Sequence, residues 1–194
     1  MSHRSDYMGD IQGIARWIHN FRHHEATRQV LAFVLVAVVS YWGDPQHVWF
    51  WIGLPLIVVG EAIRLWASGH IKKNRELATD GPYAMVRHPL YTGNILAMTG
   101  FCLAATVWWG WVFLVALIWF YYPAAISYED YKLHRFFGER WEQWRAETPA
   151  LMPRRLKFHN EQPWSFYQSL RKNGEPLIAL YLAAWLWVLF KHLP

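Results

Sequence analysis

Charge is missing from long stretches of this chain and crowded into others, and that unevenness most limits what it can fold into. Charged residues gather in 1–28, 61–87 and 128–175, and the stretches between carry almost none. A soluble domain spreads charge along the outer face of each element. Charge-free runs separated by charged segments are instead the pattern of a membrane protein with polar segments at its surfaces. The mean hydropathy of +0.02 looks soluble only because it averages the two kinds of segment.

The runs can be taken in order. Val30 to Trp42 is short, since even 16 residues at about 1.5 Å each span only about 24 Å against an apolar core of about 30 Å. Gly43-Asp44-Pro45 is a turn, and Val48 to Trp66 is a second run with Pro55 inside it, a kink position. Glu61 and Arg64 lie one turn apart near its end and are placed to pair. The apolar stretch from Ile95 to Ser127 is too long for one ordinary crossing, and Trp108-Trp109-Gly110-Trp111 marks a hairpin at the far interface, where Trp is favoured. Residues 128–147 read as one helix with an apolar stripe of Leu133, Phe136, Phe137, Trp141 and Trp144. Pro176 to Leu193 is a last run long enough to span.

Lys and Arg orient these runs. Segments 67–94 and 128–173 are both basic, so both belong on the cytosolic side, and only an even number of crossings between them allows that. The loops at 43–47 and 107–111 contain no Lys or Arg, as outer loops should. About five crossings result, with the N-terminus cytosolic and the C-terminus outside. Ahead of them, residues 8–24 carry Ile11, Ile14, Ile18 and Phe21 at helical spacing, which predicts an amphipathic helix lying on the membrane surface.

Other classes recede. The net charge of +5 is accounted for by the basic cytosolic segments and anionic lipid, with no separate basic domain for nucleic acid. Cys102 is the only cysteine, so no internal disulfide or cysteine-based metal site can form. His19, His23 and His24 lack acidic or cysteine partners at ligand spacing, and no metal is expected. The polar first 25 residues do not read as a cleavable signal peptide. No strand–GxGxxG–helix unit is present, so no Rossmann sheet is expected.

Two polar stretches carry candidate chemistry. Residues 79–94 are punctuated by Gly81-Pro82, and Pro89 biases His88 away from helical geometry. Arg87, His88 and the Tyr91 phenol are thereby gathered at the mouth of a membrane helix. The bland reading is an anchor of basic and aromatic residues at the interface. The second stretch offers Glu129 and Asp130 at the end of the fourth crossing, where carboxylates are costly unless paired or wet. Together the two stretches could hold a zwitterion, such as the amino-acid end of S-adenosylmethionine.

These residues resemble the integral-membrane methyltransferases of the isoprenylcysteine carboxyl methyltransferase and phospholipid methyltransferase group. The first motif of that group, Gly-x-Tyr-x-x-x-Arg-His-Pro-x-Tyr-x-Gly, stands complete as Gly81, Tyr83, Arg87-His88-Pro89, Tyr91 and Gly93. The second is matched by Glu129-Asp130-x-x-Leu133-x-x-x-Phe137-Gly138-x-x-Trp141-x-x-Trp144, followed by Pro149 and Pro153. The family pattern has Glu at 130 and Tyr at 141 and 144, so a role that needs those phenols does not carry over. The resemblance covers about 65–155.

It implies an all-α polytopic membrane fold with a cytosolic cofactor pocket, S-adenosylmethionine as cofactor, and a lipid or lipidated acceptor entering from the bilayer. By position, Tyr83, Arg87, His88, Pro89 and Tyr91 line the cofactor site, and Glu129 and Asp130 hold its amino group. Arg87, His88 and Glu129 are the catalytic candidates. A carboxylate acceptor needs a cation to place it, from Arg87 or Arg145. An amine acceptor needs a base, from His88 or Glu129. His70 and Lys73, upstream of the first motif, and Trp144 with Arg145 are the acceptor-binding candidates. The chain reads as one domain over 1–194: an interfacial segment at 1–28, two helices within 29–66, a catalytic core at 67–157, and a connector with the last helix at 158–194. A bacterial inner membrane suits a short chain of this kind. The alternatives are an NADPH-dependent membrane reductase of the sterol-reductase type and a non-catalytic lipid-binding protein on the same fold.

Overall fold

The computed structural model describes residues 25–71, 76–156 and 163–194. The expected surface helix at 8–24 lies outside the described residues. Within them the chain is all-helical, and no strand occurs.

Helix α1 runs Glu25–Tyr41, and α2 runs His47–His70 straight through Pro55. A single 3-10 turn at Gly81–Ala84 precedes α3, Pro89–Ala105. Helix α4 is continuous over Trp108–Phe137. A π-helical segment, Leu117–Tyr121, interrupts its regular winding. Pro123, two residues further on, cannot donate to the carbonyl of Trp119, which explains the widened turn. Helix α5 is Glu139–Glu147, and α6 is Glu175–Lys191 after a π turn at Gln168–Asn173.

Two boundaries differ from the sequence reading. The hairpin turn is at Thr106–Val107, with Thr106 at φ 56°, and Trp108–Trp111 already belongs to the first turn of α4. Residues 128–147 are not one helix: Gly138, at φ 50° and ψ −129°, ends α4 and redirects the chain into α5.

One end of the bundle is tied by the loops after α1 and α3. The Asp44 amide donates to the Ala105 carbonyl at 3.0 Å, and the His47 ring lies 2.9 Å from the Pro194 carbonyl. The polar segments 76–88, 138–156 and 163–174 lie at the other end. The core between is apolar, built on Val36, Val39, Phe101, Tyr122 and Leu189. Outside it, large apolar side chains such as Trp51, Val58, Phe113, Trp119 and Leu180 are exposed. A surface of that kind belongs in lipid. Two helices, His47–His70 and Trp108–Phe137, are long and apolar enough to cross a membrane, and the apolar part of α1, Gln29–Tyr41, is shorter.

The closest packing is between α2 and α3. Gly53 and Gly60 face Gly93, Ala97, Gly100 and Ala104, and backbone meets backbone. A Cβ on Gly60 would fall 2.6 Å from the Gly93 carbonyl, and one on Gly100 would fall 2.6 Å from that of Gly53. Small residues let membrane helices approach this closely, where dispersion rather than the hydrophobic effect holds them.

Candidate active site

The site is assembled where the 3-10 turn and the start of α3 meet the end of α4 and the segment after α5. Gly81 has φ 57°, and a Cβ there would lie 2.6 Å from Nε2 of the buried His70 ring, so glycine is required twice over. The amides of Arg87 and His88 donate to the carbonyls of Pro149 and Ala150 at 2.8 and 3.0 Å. These two consecutive bonds fasten the first motif to the Pro-bounded tail of the second. His88, at φ −125° and ψ 62°, caps α3, and Pro89 opens it. The conformation is non-helical, as the following proline requires, so the helix begins at Pro89.

Asp130 sits between the two motif side chains. Its Oδ2 accepts from Arg87 Nη2 at 3.0 Å, and its Oδ1 lies 3.1 Å from His88 Nε2. Arg87 Nη1 donates to the Thr148 carbonyl at 2.7 Å. The other face of the His88 ring is covered by Tyr91, with centroids 5.3 Å apart and planes at 14°. Tyr91 donates its hydroxyl hydrogen bond to Glu129 Oε2, which lies 3.7 Å from His88 Nδ1. The His88 side chain is 2% exposed and that of Glu129 is 42% exposed, so the imidazole is structural on its buried side while the carboxylate reaches solvent.

A cavity opens in front of this cluster. Tyr83, Arg87, His88, Pro89, Tyr91 and Glu129 all line it, as does Trp144, whose indole donates to the Tyr83 carbonyl at 3.3 Å. Leu77, Leu90, Leu133 and Phe137 supply an apolar wall. Burial, reinforced by the negative charges of Glu129 and Glu175, holds the Tyr83 phenol well above its ordinary pKa, so it stays a neutral hydroxyl. The fit to a nucleoside-linked amino acid is good: a part-exposed carboxylate for an ammonium, phenol and imidazole hydrogen-bonding groups, and an apolar wall with an indole for a flat ring.

Other candidates lie elsewhere. Asp130 does not line this cavity; it faces a second, open cleft with His134, Trp141 and Arg145. Arg145 is stacked over Trp141 at 5.0 Å and is likewise absent from the first cavity. His70 packs behind Gly81, and its ring nitrogens make no hydrogen bond among the described residues. Lys73 is outside the described residues. Conversely, Lys132, Asn173 and Glu175 line the cavity without having been singled out from the sequence. Gly174-Glu175-Pro176 reads only as a helix start, and nothing local signals that Glu175 turns inward.

Comparison with known proteins matches residues 48–140 to the phospholipid methyltransferase family model. The chain is 33% identical over 175 residues to a cobalt-zinc-cadmium resistance protein, CzcN, of Cupriavidus metallidurans, covering 81% of this chain and 77% of that one. It is 33% identical to a nickel-cobalt-cadmium resistance protein, NccN, of Alcaligenes xylosoxydans, covering 71% and 67%. It is also 30% identical to protein-S-isoprenylcysteine O-methyltransferase A of Arabidopsis thaliana, covering 67% and 74%. No solved structure matches.

Proposed function

Because the chain belongs to the membrane family of isoprenylcysteine and phospholipid methyltransferases, we propose that it is an S-adenosylmethionine-dependent methyltransferase acting on a lipid or lipidated acceptor. The observation that carries this is the joining of the two motifs around one cavity, through Asp130 behind and Glu129 in front. In this reading the whole chain is one domain that crosses a bacterial inner membrane five times, with the cavity on the cytosolic side and the C-terminus outside. The grouping of loops 43–47 and 106–107 with the C-terminus at one end supports it.

Bound S-adenosylmethionine supplies an electrophilic methyl group whose leaving group departs neutral, so no acid is required. Glu129, with Tyr91 fixing one oxygen, takes the cofactor ammonium. Tyr83 and His88 orient its polar end, and Leu90, Leu133, Phe137 and Trp144 keep water from the reacting centre. Arg87 is a positioning residue, since its terminal nitrogens are engaged by Asp130 and Thr148. A carboxylate acceptor would meet Lys132 in the cavity wall rather than Arg145, and an amine acceptor would give its proton to His88 or Glu129.

Detergent-purified protein should bind S-adenosylhomocysteine in calorimetry, and Glu129→Ala and Arg87→Ala should each abolish binding. Unchanged affinity in both variants would sink the assignment. Incubation of a membrane lipid extract with labelled S-adenosylmethionine identifies the acceptor. Two relatives carry metal-resistance names, so metal tolerance of a strain lacking the protein is the physiological assay to run beside it.

A further inference from the structure

Arg154 and Arg155 stand at the polar end of the bundle and line neither the motif cavity nor the cleft beside Asp130. They belong to a run, Met152-Pro153-Arg154-Arg155-Leu156, in which every residue is exposed, Met152 to 82%. A bare methionine beside two guanidiniums is a mixed surface, apolar and cationic at once.

The depth of this loop is fixed by the bonds along its start. The Pro149 and Ala150 carbonyls accept from the amides of Arg87 and His88, and the Leu151 carbonyl accepts from Thr92 Oγ1 at 2.8 Å. Thr92 is in the first turn of α3, and the Leu151 side chain packs against the apolar core. Leu151 therefore lies level with the first turn of α3. The arginines lie further out, in a cleft they share with Ala84 and Met85 of the turn that precedes α3. Glu147 borders the same cleft, and two guanidiniums against one carboxylate leave it cationic. From Leu151 and Met152 to Arg154 and Arg155 the chain thus passes from apolar to basic on its way out of the bundle. That is the order of environments between acyl chains and phosphates at a bilayer surface.

We propose that residues 151–155 form a binding surface for anionic phospholipid, with Met152 against the acyl boundary and Arg154 and Arg155 on the phosphate groups. The planar guanidinium matches a phosphate with two parallel hydrogen bonds, and basic residues next to membrane helices draw anionic lipid. The inference rests on the membrane placement given under the proposed function and not on methyl transfer.

The test puts a fluorophore on Met152→Cys in the full-length protein in nanodiscs; Cys102 is buried and stays unlabelled. Nitroxide-bearing phosphatidylglycerol and phosphatidylcholine are compared as quenchers. The anionic lipid should reach half-quenching at an about 25-fold lower mole fraction, about fivefold in affinity for each arginine. Replacing both, Arg154→Gln with Arg155→Gln, should bring the two lipids within about twofold of each other. Quenching by neither lipid, or a preference that survives the double substitution, overturns the inference. A label on Val58→Cys, an exposed position of α2, separates this from a failure of the membrane reading. Quenching there but not at Met152→Cys leaves the membrane placement standing, and quenching at neither overturns both.

Discussion

Arg64 and Arg87 are both part- or fully buried and both held by a carboxylate, yet they are built in opposite ways. Arg87 lies in a loop whose backbone is already fixed by bonds to Pro149 and Ala150, and its partners are a backbone carbonyl and an aspartate shared with His88. Arg64 lies in mid-helix, and its partners are the side chains of Asn94, Glu175 and Glu61, brought from three separate helical turns. The first site keeps its backbone fastening if the arginine is lost, although Asp130 and the Thr148 carbonyl then lose the side chain that positions them. The second has nothing but the arginine to reconcile its carboxylates. Function and stability are thus weighted differently on the two, and substitution should separate them.

Arg64→Ala should have the largest effect on stability, about 3–5 kcal/mol, because it leaves two buried carboxylates without a cation. It would be read as a fall in thermal-shift midpoint in detergent. Arg87→Ala should cost less, about 1–3 kcal/mol, since Asp130 keeps the His88 ring at 3.1 Å and the backbone bonds remain. Equal losses for the two would break the contrast. Gly93 connects the regions: it belongs to the first motif, and a Cβ on it would lie 2.6 Å from Arg64 Cγ and 2.5 Å from the Gly60 carbonyl. Gly93→Ala should therefore destabilise by about 1–3 kcal/mol through overpacking alone, with no charge removed. The smallest effect belongs to Glu61→Gln, within about 1 kcal/mol of wild type, because it keeps the shape of the side chain and leaves the Arg64–Glu175 pair intact. A large loss there would mean that Glu61 is the main partner of Arg64.

The same contrast explains what could be read from sequence. The first site is local: Gly81, Pro82 and Pro89 set the backbone, and Arg87, His88 and Tyr91 follow at fixed spacing, so motif and geometry coincide. The pairing of Glu61 with Arg64 was legible for the same reason, one helical turn. The role of Glu175 was not, because its partner is 111 positions away and its neighbours Gly174 and Pro176 signal only a helix start. In sequence Asp130 stands beside Glu129 in one motif, and the resemblance gives the two a shared role. On a helix adjacent residues point about 100° apart, which is why one faces the cavity and the other faces Arg87 and the second cleft. The turn at Thr106 has no sequence signal, since Ala-Ala-Thr-Val holds neither Gly nor Pro, and Gly138 matches a motif position while the positive φ by which it ends the helix shows only in the structure.

The glycine seam between α2 and α3 bears on traffic as well as on packing. With carbonyls and amides of the two helices in direct contact, no hydrocarbon tail can slide between them, and that side of the cavity is sealed to the bilayer. A membrane-borne acceptor has to arrive by another doorway. Gln29 of α1 and Lys132 and Leu133 of α4 also border the cavity. On the proposed function, the side of the cavity that these two helices border is where an acyl or prenyl chain would trail back into lipid while its head group is methylated, and where bulky substitutions should slow entry without touching the chemistry.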